Sequence, residues 1–108
     1  MEKLFVYGTL QPGKPNEHVL APLNGDWQPA TLRGYLREVG WGAAMGYPAI
    51  TLDPDGPEVP GFVFSSAELG AKWPELDAFE GEEYERVQAP VTLADGSGVQ
   101  AYVYVLRA

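Results

Sequence analysis

The segment Val99-Gln100-Ala101-Tyr102-Val103-Tyr104-Val105-Leu106 decides the fold, because it has the pattern of a strand with two apolar faces. Successive side chains of a strand point to opposite faces of the sheet. Three valines and one alanine therefore face one way, and the intervening residues, two of them tyrosines, face the other way. A strand that is apolar on both faces indicates a sheet that is closed into a barrel or covered on both sides.

The residues before this strand predict the rest of the sheet. Asp95-Gly96-Ser97-Gly98 is a turn sequence and predicts a hairpin between this strand and one over Tyr84–Leu93. Further strands are expected over residues 3–7, 31–39, 47–52 and 59–64. The count of about six strands, without strict alternation with helices, favours an α+β fold.

Two regions carry helix signals. A short helix is expected near residues 17–23. Ser65 to Glu68 has the spacing of a capping box, and Leu69, Trp73 and Leu76 follow at helical spacing. Pro74 predicts that this helix breaks and restarts, with the second helix ending near Glu80 and Gly81 as its stop. The expected architecture is a small mixed β-barrel or roll with two or three short flanking helices.

The composition of the chain excludes or disfavours several classes of site and partner. The 108 residues, 45% of them apolar, predict one domain over residues 1–108. The absence of cysteine excludes disulfides, thiolate metal sites and cysteine nucleophiles. No apolar run is long enough for a membrane span or a signal peptide, which predicts a cytoplasmic protein without a membrane partner. A net charge of −8 disfavours nucleic acid as a partner.

Several common active sites are also disfavoured. His18 is the sole histidine, so a histidine metal cluster cannot form, and we expect it to be exposed at the start of a helix. Gly8 lacks the glycine partners of a phosphate-binding loop. None of the serines lies in a nucleophile elbow, which argues against a Ser-His-Asp hydrolase.

The segment Leu4-Phe5-Val6-Tyr7-Gly8-Thr9-Leu10 is a buried strand that runs into a glycine turn. Because glycine lacks a Cβ, another group can approach the main chain closely there. The amides of Gly8, Thr9 and Leu10 then offer fixed donors for a carbonyl oxygen or a carboxylate. The alternative is a strand that simply ends in a turn.

Glu80 is badly placed for local stability. If Gly81 ends the helix, this carboxylate lies at the negative end of the helix dipole, and Glu82 and Glu83 add like charges. These effects, with apolar surroundings from Phe79 and Trp73, raise a carboxyl pKa and suit the group to proton transfer. The alternative is an ordinary exposed member of an acidic surface.

Arg86 is the nearest counter-charge to this acidic stretch, and Tyr84 lies on the same face of the predicted strand. We expect Arg86 to pair with Asp77 or Glu82, since bidentate pairs of this kind commonly fix loops. Contact with a substrate carboxylate is the alternative.

These motifs together resemble the γ-glutamylcyclotransferase-like family, and within it γ-glutamylamine cyclotransferase. The residues that carry the resemblance are Val6-Tyr7-Gly8-Thr9-Leu10, Leu76-Asp77-Ala78-Phe79-Glu80-Gly81 and Tyr84-x-Arg86, in this order. The segments Gln11–Asn16 and Tyr47–Ile50 also fit. The resemblance extends over nearly the whole chain.

The resemblance implies a small mixed β-barrel and a cofactor-independent reaction without metal. Tyr7, Gly8, Thr9 and Leu10 would line the γ-glutamyl pocket, and Glu80 matches the family's catalytic glutamate. The α-amine of a γ-glutamyl amine or γ-glutamyl peptide would attack its own side-chain carbonyl, giving 5-oxoproline and a free amine. Trp41 and Met45 would either contact the leaving amine or pack in the fold.

Two other functions stay open at this point. One is a non-catalytic module of the same fold that binds a γ-glutamyl group or another carboxylate. The other is removal of a γ-glutamyl group from a carrier-linked amine. The expected partner is a small-molecule γ-glutamyl substrate. The two motifs also predict that Glu80 lies across one cavity from the amides of Gly8, Thr9 and Leu10.

Overall fold

The structure is a computed structural model that describes residues 2–8, 12–14, 17–37 and 49–106. Six strands are present in this part of the chain: β1 (Glu2–Val6), β2 (Asp26–Arg37), β3 (Ala49–Leu52), β4 (Glu58–Ser66), β5 (Tyr84–Leu93) and β6 (Gly98–Leu106). One α-helix, α1 (Leu69–Glu80), and one 3₁₀ turn (Glu17–Val19) accompany them. The α+β class predicted from the sequence is confirmed.

The strands close into a mixed barrel. Five of them follow one another in the order β2-β4-β1-β6-β5, and β5 pairs back onto β2 at Ala30↔Leu93 and Thr31↔Thr92. β3 extends the sheet beyond β2. The pairing of β1 with β6 is parallel, and the other pairings are antiparallel. The closing contact between β5 and β2 is short and comprises the two residue pairs Ala30↔Leu93 and Thr31↔Thr92.

Two separate cores lie on the two faces of this sheet, as the alternation along β6 predicts. Val103 is fully buried inside the barrel, together with Phe5 and Val63 from neighbouring strands. Tyr104 points to the other face, where α1 covers the sheet. Burial of apolar area on both faces is what stabilises a chain of this length.

The helix continues through Pro74, so the predicted break at this residue is wrong. α1 runs unbroken from Leu69 to Glu80, and Leu69, Trp73 and Leu76 are buried along one side of it. A proline inside a helix costs roughly 3 kcal/mol. Burying each large apolar side chain contributes about 1.5–3 kcal/mol, and only a continuous helix keeps all three on one stripe.

The predicted capping box is also wrong. Strand β4 extends to Ser66, so Ser65 lies inside a strand rather than at a helix cap. The buried Ser66 hydroxyl accepts a hydrogen bond from the Glu68 amide and donates one to the carbonyl of Asn24. Glu68 accepts a hydrogen bond from the amide of Asn24 instead of returning to its own helix. The tertiary contact with Asn24 therefore replaces the local cap.

The turn signals are confirmed at both ends of β5. Gly81 ends α1, and residues 94–97 join β5 to β6 as a hairpin in which the Asp95 carboxylate accepts hydrogen bonds from the amide and hydroxyl of Ser97. β2 starts at Asp26, earlier than the predicted strand, because residues 26–33 pair with β4. No helix in the described ranges is long and apolar enough to cross a membrane.

Candidate active site

Several chain segments meet at one end of the barrel. β1 and β6 run parallel, so both end here, and β5 begins opposite the end of β6, where Tyr84 pairs with Leu106. α1 ends at Glu80, four residues before β5 begins. The start of β3 is also at this end, since the amide of Ile50 donates to the Tyr7 hydroxyl. The two motifs that predict the site, around Gly8 and Glu80, therefore belong to neighbouring elements.

Gly81 fixes the point at which α1 stops. Its φ of 88° and ψ of −179° lie in a region that glycine alone adopts readily, and its amide donates to the carbonyl of Asp77. The chain leaves the helix axis immediately after Glu80. This abrupt end makes Glu80 the last helical residue, as the sequence predicts.

Glu80 has a strongly perturbed carboxyl group. Its side chain is half-buried, and burial raises its pKa from the ordinary value of 4.5 to about 7. The direction matches the prediction, while the cause is loss of solvation. A carboxyl with this pKa exchanges its proton readily near neutral pH, which is the property of a general acid and base.

Three tyrosines from different parts of the sheet lie close enough to Glu80 to sense its charge: Tyr7 directly after β1, Tyr84 on β5 and Tyr104 on β6. Burial raises the pKa of Tyr84, and the charges of Glu80 and Glu83 raise it further. Burial likewise raises the pKa of Tyr7 and of Tyr104 above their usual range, with a smaller contribution from Glu80 in each case. Glu80 therefore lies near β1, β5 and β6 together, and near Tyr7, which immediately precedes Gly8.

The hydroxyl of Tyr7 is used within the fold. It donates to the carbonyl of Tyr104 at 2.6 Å and accepts from the amide of Ile50 at 3.2 Å. These two bonds hold the end of β1 between β6 and β3. The Tyr7 hydroxyl therefore has a structural role at this end of the barrel.

Asp77 pairs with Arg86, as one of the two alternatives predicts. The Asp77 carboxylate accepts hydrogen bonds from Nε of Arg86 at 3.1 Å and from a terminal nitrogen at 3.3 Å. The guanidinium lies 4.3 Å from the centre of the Trp73 ring, a cation–π contact. Arg86 therefore has a structural role that joins β5 to α1.

The hydroxyl of Tyr104 is a third donor to this carboxylate, at 2.7 Å from Oδ1 of Asp77. Although partial burial raises the pKa of Asp77, the hydrogen bonds from Tyr104 and Arg86 and the charge of Arg86 outweigh it and lower the pKa. Asp77 is therefore ionised at neutral pH. Tyr104 was not predicted as a site residue. The alternation of side chains along β6 predicts the face of the sheet on which Tyr104 lies, but no nearby residue in the sequence indicates which group its hydroxyl contacts.

Not every predicted site residue lies in the described ranges. Tyr7 and Gly8 are half-buried at the end of β1. Thr9 and Leu10 lie outside the described residues, as do Trp41 and Met45. The predicted cavity shared by Glu80 and the amides of Gly8 to Leu10 stays a prediction for this reason. His18 is exposed in the 3₁₀ turn, as expected.

Two clefts open near the proposed site. One, of about 480 Å³, is lined by Asp77, Tyr84, Arg86 and Tyr104 among others. The second is an open groove of about 810 Å³ that includes Tyr7 and runs along β2 and β4. Among the described residues, Glu80 lines neither of these two clefts.

Comparison with known proteins identifies the family. The sequence model of the gamma-glutamyl cyclotransferase, AIG2-like family matches residues 4–108. The chain belongs to this family. The resemblance drawn from the two motifs is thereby confirmed over nearly the whole chain.

Solved structures of similar proteins agree with this assignment. An AIG2-like protein from Mus musculus is 26% identical with a TM-score of 0.76, over 97% of this chain and 76% of that one. The Arabidopsis thaliana protein At5g39720.1 is 32% identical with a TM-score of 0.67, over 97% of this chain and 68% of that one. YkqA from Bacillus subtilis is 27% identical with a TM-score of 0.74, over 98% of this chain.

This chain spans only 36% of the length of YkqA. A search of curated proteins finds no match.

Proposed function

We propose that this protein is a cyclotransferase that converts a γ-glutamyl amine or γ-glutamyl peptide to 5-oxoproline and a free amine. The observation that carries the proposal is Glu80, a half-buried carboxyl at the end of α1 whose pKa burial raises to about 7. Membership of the gamma-glutamyl cyclotransferase, AIG2-like family supports the same chemistry.

In the proposed reaction Glu80 moves protons between two nitrogens. Its carboxylate takes a proton from the α-ammonium group of the substrate, and the resulting amine attacks the side-chain carbonyl carbon of the same residue. Glu80 then gives its proton to the leaving nitrogen, the bond between that nitrogen and the carbonyl carbon breaks, and the Glu80 carboxylate takes the second proton from the ring nitrogen. The released amine takes up the remaining proton as an ammonium ion.

The main chain after β1 would supply the binding groups. Tyr7, Gly8, Thr9 and Leu10 are proposed to line the γ-glutamyl pocket, with amides that stabilise either the developing oxyanion or the α-carboxylate. The nucleophile is tethered to the carbonyl that it attacks, so proximity supplies much of the rate. The reaction as written calls for no protein nucleophile, metal or organic cofactor.

The direct test is incubation with a panel of γ-glutamyl amines and peptides and measurement of 5-oxoproline. We expect turnover of at least one member, and we expect Glu80→Gln to lower kcat by roughly 10²–10⁴-fold, the usual contribution of a general acid or base. Glu75→Gln is the matched control, because it makes the same change on an exposed side of α1. It should retain wild-type activity.

The pH dependence gives a second test of the same assignment. The base must be ionised in the free enzyme, so kcat/KM should fall about tenfold per pH unit below a midpoint near 7, the pKa of Glu80. A midpoint near 4.5 would contradict the role of a buried carboxyl.

The other functions predict different results. Binding of 5-oxoproline or a γ-glutamyl compound without turnover of any panel member would favour a non-catalytic module. Turnover only of a carrier-linked γ-glutamyl amine would favour removal of γ-glutamyl groups from a carrier. Full activity in Glu80→Gln would overturn the proposal.

Cell fractionation would test the cytoplasmic location that we infer.

A further inference from the structure

Tyr104 connects both halves of the proposed site. Its main-chain carbonyl accepts the hydrogen bond from the Tyr7 hydroxyl at 2.6 Å, which holds the end of β1. Its side-chain hydroxyl donates to Asp77 at 2.7 Å, which holds the last turn of α1. One residue of β6 therefore contacts the strand that leads into Gly8 and also the helix that ends at Glu80.

The hydrogen bond to Asp77 acts on the part of the helix that carries Glu80. Asp77 and Glu80 are three residues apart, a spacing that puts two side chains on neighbouring positions of the helix surface. Glu80 is the last helical residue, so no further helical turn follows that would hold it with backbone hydrogen bonds. Side-chain contacts of the last turn therefore have a large share in fixing where Glu80 lies.

We propose that Tyr104 is a positioning residue for the reaction, which holds the end of α1 against β6 through Asp77 and so keeps the Glu80 carboxyl half-buried near Tyr7. The inference rests on the proposed function, because it takes Glu80 as the proton carrier. Tyr104 acts through Asp77 and α1, and the substrate itself need not contact its hydroxyl.

Removal of the Tyr104 hydroxyl isolates this contact. In Tyr104→Phe the ring still fills the core on the helix side of the sheet, and the carbonyl that accepts from Tyr7 is unchanged. Arg86 still pairs with Asp77, so α1 stays attached to β5. The change is therefore confined to the bond between β6 and the last turn of the helix.

Without this hydrogen bond we expect the last turn of α1 to be less firmly held against β6 and the Glu80 carboxyl to be more exposed to solvent. We expect kcat to fall by roughly tenfold, which corresponds to the loss of about one hydrogen bond, with little change in KM. The midpoint of the acid limb of kcat/KM should move down from about 7 towards 4.5, because solvation removes the cause of the shift.

The groups that face Glu80 are those whose pKa it perturbs, together with the charges beside them. They are Tyr7 directly after β1, Tyr84 on β5 and Tyr104 on β6. The charges beside them are Asp77 and Arg86, which act on Tyr104, and Glu83, which acts on Tyr84. The phenols are neutral throughout the pH range of the midpoint, because burial raises their pKa, and Asp77 is ionised there, because its pKa is lowered. Glu80 is therefore the group expected to titrate there.

Tyr102→Phe is the matched control. Tyr102 lies two residues before Tyr104 on the same face of β6, and its ring packs on Trp73 with centres 5.1 Å apart. Its hydroxyl should be dispensable for the position of Glu80. We expect this variant to keep the wild-type kcat and the wild-type midpoint.

A double-mutant cycle separates the proposed route from general damage. Asp77→Ala should lower kcat and the midpoint in the same direction as Tyr104→Phe. Once Asp77 is replaced, Tyr104→Phe should have no further effect on the midpoint, since the two residues act as one unit. Additive effects would contradict the proposed route, and Asp77→Ala keeps the test available if Tyr104→Phe fails to fold.

Titration of the Glu80 carboxyl by NMR tests the positioning without reference to activity. In protein labelled with ¹³C at glutamate carboxyls, the signal absent from Glu80→Gln identifies Glu80. Its midpoint should fall in Tyr104→Phe and stay in Tyr102→Phe. An unchanged midpoint in folded Tyr104→Phe would overturn the inference, whereas a wild-type protein without turnover would overturn the proposed function and leave the NMR result to decide the positioning.

Discussion

Glu80 combines two properties that oppose each other in a folded protein. Its burial raises the carboxyl pKa to about 7, which suits proton transfer, but the same burial disfavours the ionised form on which the proposed reaction depends. The sequence indicates this conflict, since a helix end beside other acidic residues is a poor place for a carboxylate. It does not indicate how deeply the side chain is buried, because that depends on strands distant in sequence.

This conflict predicts a stability difference that depends on pH. The pKa of Glu80 is raised in the folded state, so between about pH 4.5 and 7 the folded protein binds a proton that the unfolded chain has released. Stability from this group is therefore present below pH 4.5 and is lost as the pH rises through 7. Glu80→Gln should thus be more stable than wild type at pH 8, by roughly 1–3 kcal/mol.

Urea denaturation at pH 4 and pH 8 measures this difference. The advantage of Glu80→Gln should be much smaller at pH 4, where the carboxyl is protonated in both states. Glu75→Gln is measured beside it, because it makes the same change at an exposed position of α1. An equal advantage of Glu80→Gln at both pH values would contradict the assignment.

At the scale of elements, α1 shows which local signals are decisive. Gly81 ends the helix because its backbone conformation excludes other residues, and this is readable from the sequence. Pro74 fails to break the helix because the buried stripe of Leu69, Trp73 and Leu76 outweighs its penalty. A prediction from a single glycine or proline therefore holds where few tertiary contacts compete with it, and it fails where many do.

Gly81→Ala tests the first of these rules. A Cβ at Gly81 would meet no atom within 4 Å, so any loss of stability must come from the backbone conformation with φ of 88°. We expect a loss of about 1–3 kcal/mol in the free energy of unfolding, together with reduced kcat because Glu80 precedes the strained residue.

Gly70→Ala on the same helix provides the comparison. Alanine favours a helix interior over glycine by about 0.5–1 kcal/mol. Gly70 lies in the first turn of α1, and its Cβ would lie 3.3 Å from the Glu2 carboxylate oxygen that accepts a hydrogen bond from Nε1 of Trp73. A shift of this side chain by a few tenths of an ångström relieves the contact, so we expect a smaller loss than in Gly81→Ala. Equal destabilisation of both variants in chemical denaturation would refute the backbone argument.

At the scale of the whole molecule, barrel closure depends on one close approach. Gly61 of β4 is buried, and a Cβ on it would overlap the carbonyl oxygen of Val6 and lie 2.8 Å from the ring of Phe5. The lack of a side chain lets Phe5 fill the barrel interior and lets β1 reach the end at which Tyr7 and Gly8 lie. The closing contacts between β2 and β5 complete the ring of strands.

Gly61→Ala should therefore destabilise the protein by about 3 kcal/mol, the scale of overpacking in a rigid core. Gly98→Ala is the matched control: it lies in β6, and its Cβ would meet the carbonyl oxygen of Val91 only at 3.9 Å, an ordinary contact. Its stability should stay within about 0.5 kcal/mol of wild type. Thermal or urea denaturation measures the stability of the two variants. Equal stabilities would show that β1 and β4 can move apart to accept the extra methyl group at no cost in stability.

The amino-acid sequence is sufficient to predict the features that depend on neighbours a few residues away. These are the two-faced strand over residues 99–106, the hairpin before it, the stop at Gly81 and the two family motifs. The alternation of side chains along a strand and the backbone conformation of glycine are properties of short segments, so the residues of each segment are enough to predict them.

The contacts that position Glu80 become visible only in the folded chain. The hydrogen bond between Tyr7 and Tyr104 joins residues 97 apart, and that between Tyr104 and Asp77 joins residues 27 apart. Such partners are selected by the register and closure of the barrel, which no local pattern specifies. The burial that raises the pKa of Glu80 arises in the same way, from strands that reach the end of α1 only when the chain is folded.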